Sequence, residues 1–189
     1  MLRFTGMLLL LAVSGTLHAD WHLDNDASRL SFVTVKAGDV AEVHRFTDLS
    51  GSVGADGHAR VVIQLASVDT LIPIRDERMR DILFRTSVFP TAVVTTRLDA
   101  EWLSAPDNGA VDTELVLDMA DRQVPFAANL LVNTLADGRV MVTTSQPLVA
   151  NAPALGLTEG VEKLREIAGL PSISHAVPVS FSLVFSRAE

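Results

Sequence analysis

The stretch RVVIQLASV, residues 60–68, decides how this chain folds. In an extended backbone Val61, Ile63 and Leu65 fall on one side, while Arg60 and Gln64 stand at the alternate positions. A period of two belongs to a strand with one buried face, not to a helix that repeats every 3.6 residues. Working outward, the same alternation appears in SRLSFVTV (28–35), HRFTDLSGSV (44–53), TAVVTTRL (91–98) and TELVLDM (113–119). It continues in QVPFAANLLV (123–132), RVMVTT (139–144) and AVPVSFSLVF (176–185), which makes eight strands in all. Turn signals separate neighbours at Ala55-Asp56-Gly57, Pro106-Asp107-Asn108-Gly109 and Ala136-Asp137-Gly138. Links this short join antiparallel strands.

An all-β chain of eight antiparallel strands can form a sandwich or a closed barrel, and closure removes the exposed edges that invite aggregation. A barrel of this size can hold a small ligand or be filled by its own side chains. The alternation turns Leu30 and Phe32 inward, then Val61, Ile63 and Leu65, then Val94 and Leu98. Leu115, Leu117 and Met119 follow, with Val124, Phe126, Leu130 and Val132, and finally Val179, Phe181, Leu183 and Phe185. This inner surface is almost wholly apolar.

Two segments break the pattern. IPIRDERMRDILF, residues 72–84, reads as a charged helix from Arg75 to Phe84. Met79, Ile82 and Leu83 recur at helical spacing, and Asp76, Arg80 and Asp81 are expected outside, with Asp76 and Arg80 placed for an i to i+4 pair. Ile74, Met79 and Leu83 are assigned to a cap over one barrel end, where methionine suits a deformable wall. A second helix is expected over Glu159–Ala168, with Thr158 as N-cap, an apolar row of Val161, Leu164 and Ile167, and a stop at Gly169 and Pro171.

The length of 189 residues suits one domain, and 48% hydrophobic residues suffice for a core. Residues 1–19, MLRFTGMLLLLAVSGTLHA, join an early Arg3 to a short apolar run and then small or polar residues up to Ala19. The layout is that of a secretory signal peptide, with a single domain over 20–189 starting at Asp20 and a periplasmic or secreted location; a retained N-terminal anchor is the alternative. Removing Arg3 takes the formal charge from −8 to −9, which opposes phosphate backbones and makes nucleic acid a poor partner. The absence of cysteine removes both disulfides and a lipoprotein-type anchor, so the domain must rely on its core.

Catalytic signals are missing. His22, His44, His58 and His175 have no metal-site spacing such as HExxH, so no metal is assigned. Gly51-Ser52-Val53-Gly54 lacks the nucleophile-elbow spacing, and neither Gly156 nor Gly160 belongs to a phosphate loop. Asp118 and Asp121 read as a solvated turn. No catalytic residue and no cofactor is assigned, beyond a bound isoprenoid or quinone-like lipid.

The run SVDTLIPIRDERMRDILFRTSVFPTAVVTTRL, residues 67–98, resembles a segment of the YceI-like family of periplasmic lipid and polyisoprenoid-binding proteins. It has a strand ending in Ser67 and Thr70, a charged helix with Arg75-Asp76, then Phe89-Pro90 leading into the next strand. SRLSFVTV, VHRFTDLSGSV and HAVPVSFSLVF agree in order and spacing, so the resemblance covers residues 20–189. Two departures stand out: Ala27 replaces a usual histidine, and His44 adds bulk where the family has glycine. The resemblance implies a lipocalin-like barrel whose lumen holds a long apolar chain such as a polyisoprenoid or isoprenoid quinone, for transport or storage. It also implies transient contact with a membrane or a membrane cytochrome, and a homodimer is a further expectation.

The walls assigned to this ligand are Phe32, Ile63, Leu65, Val94, Leu117 and Met119, then Phe126, Leu130, Val179, Phe181 and Leu183, with Ile74, Met79 and Leu83 as the cap. Two other readings stay open: a fully packed barrel serving as a protein-protein interaction module, and a weak lipid-modifying enzyme.

Overall fold

The eight expected strands are present, and three shorter ones accompany them. The computed structural model describes residues 19–98 and 108–188. The signal-like segment up to His18, and Pro106 and Asp107 of one expected turn, lie outside the described residues. In chain order the strands are β1 (Ala19–Lys36), β2 (Val40–Phe46), β3 (Leu49–Gly54), β4 (His58–Gln64), β5 (Val68–Asp69) and β6 (Thr91–Arg97). They continue with β7 (Gly109–Met119), β8 (Arg122–Thr134), β9 (Val140–Thr144), β10 (Leu148–Asn151) and β11 (Ala176–Arg187). All pairings are antiparallel, in the order β11-β9-β8-β7-β6-β4-β3-β1, and β1 pairs again with β11. Those eight strands form a closed barrel. β2, β5 and β10 lie outside the ring and extend it at one end.

The extension comes from an irregularity in β1. Asp24 faces Val184, yet the next paired residue, Arg29, faces Ser182, so the chain between them bulges out. A bulge bends and twists its strand. Before it, Trp21 and His22 pair with Val53 and Ser52 of β3; after it, Leu30 to Lys36 pair with Phe46 to Val40 of β2. The expected strand HRFTDLSGSV is accordingly two strands, broken at Thr47 and Asp48. The bulge is held by buried Ser28, whose Oγ donates to the Asp24 carbonyl at 2.6 Å and accepts from the Val184 amide at 3.0 Å. Asn25 ties the bulge to the strand break, accepting from the Leu49 amide at 2.8 Å and donating to the Thr47 carbonyl at 3.2 Å.

The first helical segment is α1 (Pro73–Arg78), continued by a π-helical turn over Met79–Phe84. Proline at the first helical position needs no amide partner there. Asp76 is not paired with Arg80 as the spacing suggests. Its Oδ1 accepts from the Thr70 amide at 2.8 Å and from the Thr70 hydroxyl, while Arg80 donates to the Ala66 carbonyl at 3.3 Å. A local bond to a buried hydroxyl and an amide outweighs a solvated i to i+4 ion pair, worth only ~0.3–0.5 kcal/mol.

The second helix is α2 (Thr158–Ile167). Thr158 is its first helical residue rather than its cap; Leu157 holds the cap position without a side-chain bond. The end follows expectation. Gly169, at φ +64, donates to Glu166, and Leu170 donates to Arg165, each at 3.0 Å, satisfying the last carbonyls. Gly160 sets how closely α2 meets the π turn, since a Cβ there would lie 3.0 Å from the Leu83 Cα. The two helical segments therefore lie against each other.

Replacing Ser28 by Ala leaves the buried Val184 amide without its partner. The expected loss is about 1–3 kcal/mol in equilibrium urea unfolding, with an unchanged slope on denaturant concentration.

Candidate functional site

Among the described residues a larger and a smaller cavity lie inside the barrel, and the bulge in β1 separates their walls. The larger, about 340 Å³, falls within the roughly 300–1,000 Å³ range of small-molecule sites. The smaller is about 120 Å³. Residues of β1 beyond the bulge, Phe32, Thr34 and Lys36, line the larger cavity, whereas Trp21, before it, lines the smaller. β11 divides the same way, with Val177 and Val179 on the larger and Leu183 and Phe185 on the smaller. Leu30, Ile63, Val94, Leu115 and Phe181 border both and form the waist between them.

Most of the positions assigned from alternation reach these walls. Phe32, Leu65, Leu117, Met119, Phe126 and Val179 line the larger cavity, and Met79 and Leu83 close it from the π turn. Ile63, Val94 and Phe181 lie at the waist, and Leu130 and Leu183 line the smaller cavity. Ile74 is a correction. It borders neither cavity and its residue is 51% exposed. A helix turns about 100° per residue, so the five-residue step from Ile74 to Met79 carries Ile74 roughly 140° around the axis. The inward stripe instead joins Arg75, Arg78, Met79 and Leu83.

A further wall completes the larger cavity beyond the residues named as ligand contacts. Leu148 and Ala150 of β10, Leu155, Val161 and Leu164 of the α2 region, and Ile173 line the larger cavity. The alternation in β10 and the apolar row of α2 were the available signals; what they face depends on how residues 148–176 fold back over the barrel.

The charged lining gathers at one end, between the β1–β2 hairpin and α1. Glu42 Oε2 accepts from Lys36 Nζ at 2.6 Å and from Arg75 Nη1 at 2.8 Å. The side chains of Lys36, Glu42 and Arg75 are 29%, 30% and 24% exposed, so this end meets solvent. The Lys36 ammonium, with Arg75 beside it, holds the Glu42 carboxyl below the usual range. Deeper in, His44 is buried, 3% exposed, with Nε2 2.9 Å from the Thr34 hydroxyl and its ring 5.3 Å from that of Phe32. Burial first, then the positive charge of Arg75, pushes the His44 pKa below the ordinary imidazole value. Among the described residues, the buried side-chain polar atoms left without a hydrogen-bond partner are His44 Nδ1 and Arg75 Nε. Both residues line the larger cavity. No cluster of three metal-ligating side chains occurs among the described residues.

The model of the YceI-like domain family matches residues 21–185. A polyisoprenoid binding domain from Saccharophagus degradans, implicated in plant cell wall breakdown, is 37% identical, with a TM-score of 0.87 over 90% of this chain and 100% of its own. Burkholderia cenocepacia BcnA shares the fold at 19% identity, with a TM-score of 0.68 over 86% of this chain and 98% of its own. The Campylobacter jejuni YCEI protein shares it at 16% identity and a TM-score of 0.53, over 77% of this chain and 84% of its own. No curated protein matches the chain.

A histidine whose folded pKa lies below its unfolded value takes up its proton more readily when unfolded. Its contribution is therefore intact above the ordinary value of 6.5 and is lost as pH falls from there toward the folded pKa. Urea unfolding is expected to show this loss between pH 7.5 and 5.5, and His44→Phe to flatten it. Arg75 and Lys36 push the His44 pKa in this direction, and Glu42 and Asp76 oppose it. Glu42 adds its own loss only at lower pH, below the ordinary carboxylate range.

Proposed function

The chain belongs to the YceI-like domain family, and on that premise we propose that its lumen holds one long apolar ligand, a polyisoprenoid, an isoprenoid quinone or a similar amphiphile. The observation that carries this reading is the cavity itself. About 340 Å³ lined mostly by apolar side chains is left unfilled by the chain itself, and water entering it finds few hydrogen-bond partners. An apolar ligand that takes its place removes that surface from water. At about 0.3 kcal/mol per heavy atom, six five-carbon units contribute roughly 9 kcal/mol, which corresponds to submicromolar binding without any polar anchor.

The open cavity favours this reading over a packed interaction module. The family relatives are binding proteins, and the polar groups at the cavity end do not form a catalytic set. His44 engages the Thr34 hydroxyl, but its Nδ1 has no carboxylate to orient it. Our reading extends to a carrier or storage role outside the cytoplasm, in the periplasm or secreted, supported by the signal-like residues 1–19. It includes transient contact with the membrane, or with a membrane cytochrome, where such a ligand resides, and allows a homodimer.

Native mass spectrometry of the chain from Asp20, made in an exporting host without detergent and followed by solvent extraction, tests this. An added mass matching an isoprenoid or quinone-like lipid is expected, and it is expected to vanish when Phe126 and Phe181 are replaced by Asp. An apo mass together with failure to take up a panel of long-chain lipids would refute the carrier. Phe181→Ala, which opens the waist, is expected to shift retained ligands toward longer chains.

A further inference from the structure

Among the described residues, the charged side chains lining the larger cavity are Lys36, Arg75 and Arg78 against the carboxylate of Glu42. The chain as a whole carries −8, so this lining reverses the sign of the molecule. Lys36 comes from the end of β1 and Arg75 from the first turn of α1, and both donate to the same Glu42 oxygen, at 2.6 and 2.8 Å. Arg75 also donates from Nη2 to the Thr70 carbonyl at 2.7 Å, which holds its charge in place. Arg78 follows Arg75 by three residues, so the two share a helix face. Its side chain makes neither a hydrogen bond nor an ion pair among the described residues. The acidic neighbours on α1 do not cancel it, because Asp76 is turned to Thr70, Glu77 is exposed, and neither lines the cavity. His44, deeper on the same wall, adds no charge at neutral pH because burial keeps it unprotonated.

We propose that the solvent-facing end of this cavity binds the phosphate monoester head of a long-chain lipid through Arg78 and Lys36, a site that rests on the carrier reading and specifies the polar end of its ligand. Arginine is a donor only, and its planar fork matches two oxygens of one phosphate. Lysine offers three donors, of which Glu42 takes one from Lys36. Three cations against one carboxylate leave two positive charges in excess, and a phosphate monoester supplies about −1.5 to −2. A hydroxyl or a carbonyl would accept a hydrogen bond but leave those charges unbalanced beside an apolar space, which is unfavourable. Lys36 and Arg75 are only partly exposed, so solvent screens the site less than an open surface. The wall that continues inward from these groups is carbon, with Met79, Phe46 and Phe84 on it and the two rings 5.7 Å apart. A free phosphate ion gains nothing from that wall and is left with ion pairs at a solvent edge, worth about 0–1 kcal/mol each. A phosphate carried on an apolar chain uses both parts of the cavity.

The test is a matched prenyl series, comprising farnesene, farnesol and farnesyl monophosphate, titrated into the delipidated protein by displacement of the uncharged fluorescent probe N-phenyl-1-naphthylamine. The monophosphate is expected to bind about tenfold tighter than farnesol. Arg78→Gln is expected to bring it down to the level of farnesol, and Arg78→Lys to keep part of the advantage. The unmutated protein gives a second readout: raising sodium chloride from about 50 to about 500 mM is expected to shrink the advantage without weakening farnesene. Inorganic phosphate alone, at the concentration of the lipid, is expected not to compete with the monophosphate. A monophosphate no tighter than farnesol would overturn the head-group site while leaving the carrier standing. So would an advantage that survives both Arg78→Gln and high salt. Competition by inorganic phosphate would assign the charges to a free anion and overturn the lipid head group in the same way. Failure of every member, farnesene included, would bring down the carrier and the site together.

Discussion

The structure depends on the bulge in β1. A regular strand would pair with a single neighbour on each side along its whole length, and the barrel would be one tube of constant width. The bulge between Asp24 and Arg29 lets β1 close the ring with β3 in its first half and carry β2 in its second, while β11 pairs with it on both sides of the bulge as far as Phe32. The first half bounds a small cavity and the second a large one. Ser28 and Asn25 satisfy the backbone groups that the bulge would otherwise leave unpaired, which is the condition for keeping such an irregularity inside a sheet.

Extending the barrel at one end creates a second requirement, because that end must be covered. Two helical segments meet this together. Gly160 lets α2 approach the backbone of the π turn, and the turn presents Met79 and Leu83 to the space below. The Thr70–Asp76 lock fixes where α1 begins and therefore which of its faces points inward. That face carries Arg75 and Arg78 as well as Met79, so the cover is apolar toward the waist and charged toward solvent.

The chemical character of the cavity follows from this asymmetry. Carbon surface supplies affinity without direction, and it surrounds most of the space. The few hydrogen-bonding groups sit at the solvent-facing end, where Glu42 between Lys36 and Arg75 is only partly exposed and His44 is buried. A ligand with one polar end and a long apolar body matches this distribution, and a uniformly polar one does not.

By itself the sequence determined the sheet and its inner face, because a period of two is a local property that each strand carries alone. Phe32, Ile63, Leu117 and Phe181 could be named as wall residues for this reason, and the turns at Gly57 and Gly138 for a similar one. Only the tertiary structure decided that HRFTDLSGSV splits in two, since the break at Thr47 answers to a bulge more than twenty residues earlier. Only it decided the wall formed by β10 and α2, whose apolar faces say that something is covered but not what. The placement of Ile74 and Arg75 lies between these cases. Counting residues around a helix separates them, but only the lock between Thr70 and Asp76, a contact with a preceding strand end, says which of the two faces the cavity. Side-chain alternation is set by backbone geometry, whereas the partner of each face is set by long-range packing, and the polar end of this cavity belongs to the second kind.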